Sequence, residues 1–190
     1  MSSHEQSPWH TRADVPVFPW REARFDKARL VGAHYHTMDD LKDLAMELGP
    51  EGAYAMAVRI EQHGIDFYRM LSEQAETAWA RNDLLGLAKE ESNHRDVFRS
   101  LLEAEGFSEP PELHADTLTR LKGKLFPDVE TPLKDGRAAL KAGLSLEEGS
   151  IRFYEGLVTR SIDDEARAAV ERILEQERAH EKRIRFLLNY

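Results

Sequence analysis

Two short segments of the chain place a glutamate three residues before a histidine, and a further glutamate stands 30 residues before each segment. The six residues are Glu61, Glu91, His94, Glu147, Glu177 and His180. Side chains three residues apart share one face of a helix. Carboxylate and imidazole groups together bind divalent iron, manganese or zinc. A single Glu-x-x-His pair is a weak signal, but two copies at identical spacing predict a site for two metal ions.

The sequence around these six residues predicts that they are buried. Positions three, four and seven residues away from each glutamate are mostly apolar; around Glu91 they include Leu84, Leu87 and Phe98. Such a stripe faces the core of a helical protein. An uncompensated buried carboxylate costs several kcal/mol. Four glutamates carry four negative charges, which two divalent cations would balance.

The six residues belong to an internal repeat with a constant offset of 86 residues. Twelve of the 48 positions between 55 and 102 are identical to their counterparts in the second copy. The repeat also separates ligand candidates from neighbouring acids. Glu90 has Gln176 as its counterpart, and Glu148 has Gln62. We therefore interpret Glu90 and Glu148 as solvated side chains or as partners of ligands.

Helical periodicity without any stretch of alternating polarity predicts an all-α protein. The predicted helices cover 38–48, 51–75, 78–104, 132–160 and 164–188. Thr77 and Asp163 occupy equivalent positions of the two copies and are favourable N-caps. If the chain reverses beside them, both glutamates of a copy lie about 22 Å from the turn on antiparallel helices. The two copies then form two helical hairpins that meet at the glutamates.

The remaining segments carry no strong functional pattern. Residues 1–36 are predicted to form a polar arm, residues 37–190 the helical domain, and residues 105–131 the connection between the two hairpins. Four of the six histidines outside the motifs are expected not to bind metal, since three lie in the arm or the connection and one lies off the ligand face. They are His34, His36, His114 and His63.

Composition narrows the class of protein. The formal charge of −9 argues against nucleic acid as the main partner. We expect no membrane partner, because no run approaches the ~18 apolar residues of a membrane-spanning helix. The absence of cysteine excludes disulfides and thiolate ligands. No secretory signal is recognisable at the start of the chain, so a cytoplasmic location is expected.

The two Glu-x-x-His motifs follow helices that carry Phe67-Tyr68 and Phe153-Tyr154. In this respect the chain resembles the ferritin-like di-iron carboxylate proteins and is most similar to their rubrerythrin-related members, over roughly residues 50–188. The resemblance implies a ferritin-like four-helix bundle of two hairpins, with a long crossover between its second and third helices.

The same resemblance implies a cofactor of two iron ions, for which manganese or zinc could substitute. One ion is expected on Glu61, Glu91 and His94, and the other on the three equivalent residues of the second copy. Glu91 and Glu177 are expected to bridge the two ions, with Glu61 and Glu147 as terminal ligands.

The chain departs from the rubrerythrins that reduce peroxide in two respects. Those proteins have an additional carboxylate one turn before the third-helix ligand, where this chain has Leu144. Many also carry a rubredoxin-like site of four cysteines, and this chain has none. Both departures weigh against rubrerythrin-type peroxidase activity, and the second implies a separate electron donor.

Tyr68 and Tyr154 lie two turns beyond Glu61 and Glu147 on the same helix face. Two interpretations stay open at this stage. The tyrosines could donate electrons to an oxidised metal centre or hydrogen bonds to a ligand carboxylate. Alternatively, they are core aromatic residues whose hydroxyls are satisfied elsewhere.

The favoured function is that of a di-iron oxidoreductase, which oxidises Fe(II) or reduces O2 or hydrogen peroxide. The alternatives are an iron-binding or storage protein without turnover of its own, and a bundle that only binds a partner. A homodimer is expected through an apolar outer stripe. The stripe consists of Leu71, Trp79, Leu85 and Phe186.

Overall fold

A computed structural model describes residues 40–113, 117, 125, 136–160 and 163–189, and all regular secondary structure in these residues is helical. The long helices predicted from the sequence are confirmed, with ends that differ by a few residues. The helices are α1 (Asp40–Glu47), α2 (Pro50–Gln74), α3 (Ala78–Ala104), α4 (Gly136–Thr159) and α5 (Asp164–Asn189). The polar arm of residues 1–36 lies outside the described residues. The boundary between the arm and the helical domain therefore stays a prediction.

Local sequence explains where the helices begin. Pro50 occupies the first turn of α2, where its missing N–H costs nothing. Thr77 caps α3, because its Oγ1 accepts a hydrogen bond of 3.1 Å from the backbone N–H of Ala80. Asp163 caps α5 in the same way, through a 2.9 Å hydrogen bond from Ala166 N–H. The two caps predicted at equivalent positions are therefore both formed.

Two apolar clusters fill the bundle, one on each side of the glutamates. The first cluster includes Tyr54, Ile60, Phe98, Leu102, Phe153, Tyr154, Leu157, Val170 and Ile173. The second cluster includes Phe67, Tyr68, Leu71, Leu84, Leu87, Leu146 and Ile184. Helices α2 and α5 pass from the first cluster to the second, and α3 and α4 pass in the opposite direction. Each hairpin is thus antiparallel, and the acidic residues lie at the middle of the bundle.

The direction of the helices explains the long connection between the hairpins. Helix α3 ends beside the first cluster, whereas α4 begins beside the second. The chain between Ala104 and Gly136 must therefore return along the length of the bundle. The structure describes residues 105–113 of this segment together with Thr117 and Leu125, and Leu125 is buried in the first cluster. The four long helices therefore form a bundle of two hairpins, and the connection between the hairpins crosses from one end of the bundle to the other.

Helix α1 packs against α4 at a glycine. A Cβ atom on Gly156 would lie 2.5 Å from the backbone oxygen of Lys42, so only glycine permits this approach. Beside this contact, Lys42 Nζ lies 2.5 Å from Glu155 Oε2, and Arg178 Nη2 lies 3.1 Å from Glu155 Oε1. Helix α1 is thereby held on the outside of the second hairpin.

One residue of the predicted outer stripe is not at the surface. Leu71 is buried in the second cluster, because it continues the inward face of α2 that begins at Phe67. Trp79, Leu85 and Phe186 are 56%, 45% and 52% exposed. The predicted dimer stays a prediction, and its apolar surface is reduced to these three side chains. None of the described helices combines the length and the apolar character needed to cross a bilayer.

Candidate metal centre

The structure brings all six sequence-predicted ligand residues together in the middle of the bundle. Each of the four long helices contributes one glutamate, and α3 and α5 each add a histidine one turn later. None of the six residues is more than 3% exposed. The apolar stripes that surround the glutamates in the sequence form the two clusters that enclose them.

The six side chains form two overlapping sets that could each hold a metal ion. The first set is Glu61, Glu91, His94 and Glu177, and the second is Glu91, Glu147, Glu177 and His180. Within each set one ligand atom per residue lies within 4.8 Å of all the others. Glu91 and Glu177 belong to both sets, which is the arrangement expected of residues that bridge two ions.

The Nδ1 atoms of both histidines face the carboxylates. His94 Nδ1 lies 3.1 Å from Glu91 Oε2 and 2.9 Å from Glu177 Oε1. His180 Nδ1 lies 3.3 Å from Glu91 Oε1 and 3.8 Å from Glu147 Oε2. The two rings stack with their centroids 5.5 Å apart. Each histidine therefore presents the same nitrogen to its own set.

Three buried atoms of the centre form no hydrogen bond of good geometry among the described residues, although two of them lie close to a neighbouring ligand atom. They are Glu147 Oε2, Glu177 Oε1 and His180 Nδ1. A buried polar atom without a partner costs about 1–3 kcal/mol. All three belong to residues of the two ligand sets, so cations bound there would supply the missing interactions. The carboxylate–imidazole donor set also suits divalent iron or manganese. The residues present thus fit a pair of metal ions.

Burial and crowding of like charges shift the pKa values of the centre. Burial, followed by the charges of Glu91 and Glu177, raises the pKa values of Glu61 and Glu147 well above the usual carboxyl range. Burial acts against ionisation of Glu91 as well, but the imidazoles of His180 and His94 outweigh it and hold its pKa well below that range.

The neighbouring carboxylates raise the pKa values of both histidines. Burial disfavours the imidazolium of His180, but Glu90 and Glu91 outweigh burial and raise its pKa to about 10. The pKa of His94 is also raised, because contacts with Glu177, Glu61 and Glu91 outweigh the effect of burial. Without metal, protons thus supply the positive charge that the carboxylates require.

Each tyrosine donates a hydrogen bond to the glutamate of the opposite hairpin. Tyr68 on α2 donates to Glu147 Oε1, and Tyr154 on α4 donates to Glu61 Oε1. Both hydroxyls are fully buried, and burial together with the neighbouring carboxylates raises their pKa values well above 10. The structure thus places both hydroxyls on candidate terminal ligands, and electron donation by the tyrosines stays a prediction.

The outward nitrogens of the histidines have partners that the spacing of the motifs did not reveal. His94 Nε2 lies 2.9 Å from Gln176 Oε1, and His180 Nε2 lies 2.7 Å from Glu90 Oε2. Arg183 Nη1 donates to Glu90 Oε1 at 2.9 Å. These contacts lower the pKa of Glu90 to about 2, with the hydrogen bond from His180 as the largest cause. The only sequence signal was that Glu90 and Gln176 adjoin the ligands at equivalent positions.

Gly64 leaves space for the side chain of Glu91 at the centre. A Cβ on Gly64 would lie 3.2 Å from Glu91 Cγ, closer than an ordinary van der Waals contact. A residue without a side chain on α2 therefore lets the shared carboxylate of α3 approach.

Among the described residues, no histidine other than His94 and His180 belongs to the centre. His63 is buried, but it belongs to neither ligand set found among the described residues, and burial lowers its pKa to about 4. His34, His36 and His114 lie outside the described residues. Glu148 is also absent from both sets and accepts a 2.8 Å hydrogen bond from Arg185 Nη2 instead.

Comparisons with known proteins agree with this architecture. The family model described as Rubrerythrin matches residues 54–188. A crystal structure at 2.30 Å resolution of a candidate ferritin-like diiron-carboxylate protein from Thermotoga maritima is 25% identical and superimposes with a TM-score of 0.60. This similarity covers 75% of the present chain and 95% of the other. No curated protein gives a significant match.

The fold and the centre together define a ferritin-like helical bundle with a carboxylate–histidine di-metal site. The matched residues span all four long helices. The chain belongs to the rubrerythrin family. The family assignment and the fold class predicted from the repeated motifs are both confirmed.

Proposed function

We propose that the chain binds two iron ions at this centre and uses them to oxidise Fe(II) or to reduce O2 or hydrogen peroxide. The observation that carries the proposal is the pair of buried ligand sets that share Glu91 and Glu177. Four carboxylates balance two divalent ions in charge, and metal pairs in such sites lie about 3.5–4 Å apart.

Two iron ions bound at these residues would together supply two electrons to O2 or hydrogen peroxide. Reduction of one hydrogen peroxide molecule to two water molecules consumes two protons and two electrons. The electrons would come from the iron, and a separate donor would have to replace them before the next turnover. The residues of the chain would hold and surround the ions. Glu91 and Glu177 would bind both ions, Tyr68 and Tyr154 orient the terminal carboxylates, and the two apolar clusters keep bulk water away.

The direct test replaces both shared carboxylates, as Glu91→Ala with Glu177→Ala, and compares iron content and oxygen consumption after anaerobic addition of Fe(II). We expect two irons per wild-type chain, oxygen uptake on exposure to air, and loss of both properties in the double variant. Glu148→Ala is the matched control, since it removes an acid next to a ligand but outside both sets.

Three results would count against the proposal. Retention of two irons by the double variant would refute the ligand assignment. Many irons per wild-type chain would favour storage, and no bound iron would favour a bundle that only binds a partner.

A single substitution separates the two metal positions. His94→Ala should retain one iron per chain, because His94 belongs to one ligand set only.

A further inference from the structure

The two halves of the metal centre differ in what lies behind their histidines. Behind His180, the acceptor for Nε2 is the carboxylate of Glu90, at 2.7 Å. Behind His94, the acceptor is the neutral side-chain amide of Gln176, at 2.9 Å. Glu90 and Gln176 are counterparts in the 86-residue repeat. The sets of metal ligands are therefore equivalent, whereas their outer partners are not.

In the described part of the chain, only the half of the centre that contains His180 has an ion-pair network behind its histidine, and this network holds Glu90 in place. Arg183 Nη1 donates to Glu90 Oε1 at 2.9 Å, and Arg183 Nη2 donates to Asp83 Oδ1 at 2.9 Å. The repeat counterparts of these two outer residues are Val97 for Arg183 and Ala169 for Asp83, neither of which can form such an ion pair. The charged chain from His180 to Asp83 thus has no equivalent behind His94.

The identity of the acceptor determines how strongly each imidazole donates to a metal. An N–H that points to a carboxylate forms a charge-assisted hydrogen bond, roughly twice as strong as one to a neutral acceptor. Such a partner fixes the tautomer and raises the basicity of the metal-facing nitrogen. In both halves that nitrogen is Nδ1, and it gains more electron density in His180 than in His94.

From this asymmetry we propose that the two metal positions are unequal, and that the position at His180 binds a divalent ion more tightly and fills first. Glu90 is a positioning residue that acts on the ion through His180, and Arg183 keeps its carboxylate aimed at Nε2. The inference rests on the proposed function in one respect, since it requires that two metal ions bind.

The test titrates metal-free protein with Co(II), a divalent probe that needs no oxygen chemistry, and follows binding by calorimetry and visible absorption. We expect two affinities in the wild type. Glu90→Gln makes the two halves alike and should weaken the tighter step by about 10–100-fold. Gln176→Glu adds a carboxylate behind His94 and should strengthen the weaker step. Glu148→Gln is the matched control and should change neither step.

Crystals grown with one equivalent of Co(II) identify the position that fills first. Anomalous density should lie between Glu147 and His180 in the wild type, and it should be divided between both positions in Glu90→Gln.

The inference would be overturned, and the proposed function would stand, if two ions bind and Glu90→Gln changes neither affinity. No Co(II) bound to the wild type would overturn the proposed function itself. A variant that fails to fold would lose affinity for Co(II). Misfolding therefore cannot explain a gain of affinity in Gln176→Glu together with a loss in Glu90→Gln.

Discussion

At the scale of single residues, the hydrogen bonds from tyrosine to the terminal glutamates stabilise the centre. Each hydroxyl is buried and donates to a carboxylate of the opposite hairpin. We expect Tyr154→Phe to lower the free energy of unfolding of the metal-free protein by about 1–3 kcal/mol, the cost of leaving a buried acceptor without its hydrogen-bond partner. Urea denaturation measures this loss.

The control is Tyr54→Phe, which alters a buried tyrosine of α2 outside both ligand sets and should have a smaller effect. Tyr68→Phe should match Tyr154→Phe, because the repeat relates the two residues. A Tyr154→Phe protein as stable as the wild type would contradict this account of the hydrogen bond.

The sequence predicted the six residues of the centre because their spacing is repeated, but it did not predict how the two hairpins contact each other. Spacing along α2 places Tyr68 two turns from Glu61, yet its hydroxyl bonds Glu147 on α4. In the same way, the contact of Glu90 with His180 joins α3 to α5. Contacts between helices depend on their relative rotation and separation, which periodicity within one helix does not contain.

At the scale of helices, the position of α1 depends on the close approach at Gly156. We expect Gly156→Ala to destabilise the protein by about 1–3 kcal/mol, because the new methyl group would collide with the backbone of Lys42. This loss should appear although alanine favours a helix by about 1 kcal/mol over glycine. Thermal denaturation followed by circular dichroism measures the change.

Gly52→Ala provides the matched comparison. A Cβ at Gly52 would meet Leu48 at 3.5 Å, an ordinary contact, so helix propensity should dominate and the variant should be at least as stable as the wild type. Equal behaviour of the two alanine variants would show that α1 does not pack on Gly156 in solution.

The predicted helices and their caps were confirmed because they depend on local signals, such as Pro50 at the start of α2 and Asp163 before α5. Leu71 was assigned to the surface in error. Its helical phase with Phe67 already pointed inward, but only the packing of the four helices shows which of several apolar faces is covered.

At the scale of the whole molecule, folding and metal binding should be coupled, since the ligands come from all four long helices. An ion at 100 times its dissociation constant stabilises the folded state by about 2.7 kcal/mol. We expect iron-loaded protein to melt at a higher temperature than protein stripped with a chelator. The Glu91→Ala, Glu177→Ala double variant should melt at the same temperature with and without the chelator, and a shift in that variant would place the stabilising metal elsewhere.

The most direct test of the central claim is a crystal structure of iron-loaded protein with anomalous diffraction measured at the iron edge. We expect two peaks per chain about 3.5–4 Å apart, both in contact with Glu91 and Glu177. Absence of iron between these carboxylates, or a single peak at full loading, would contradict the claim.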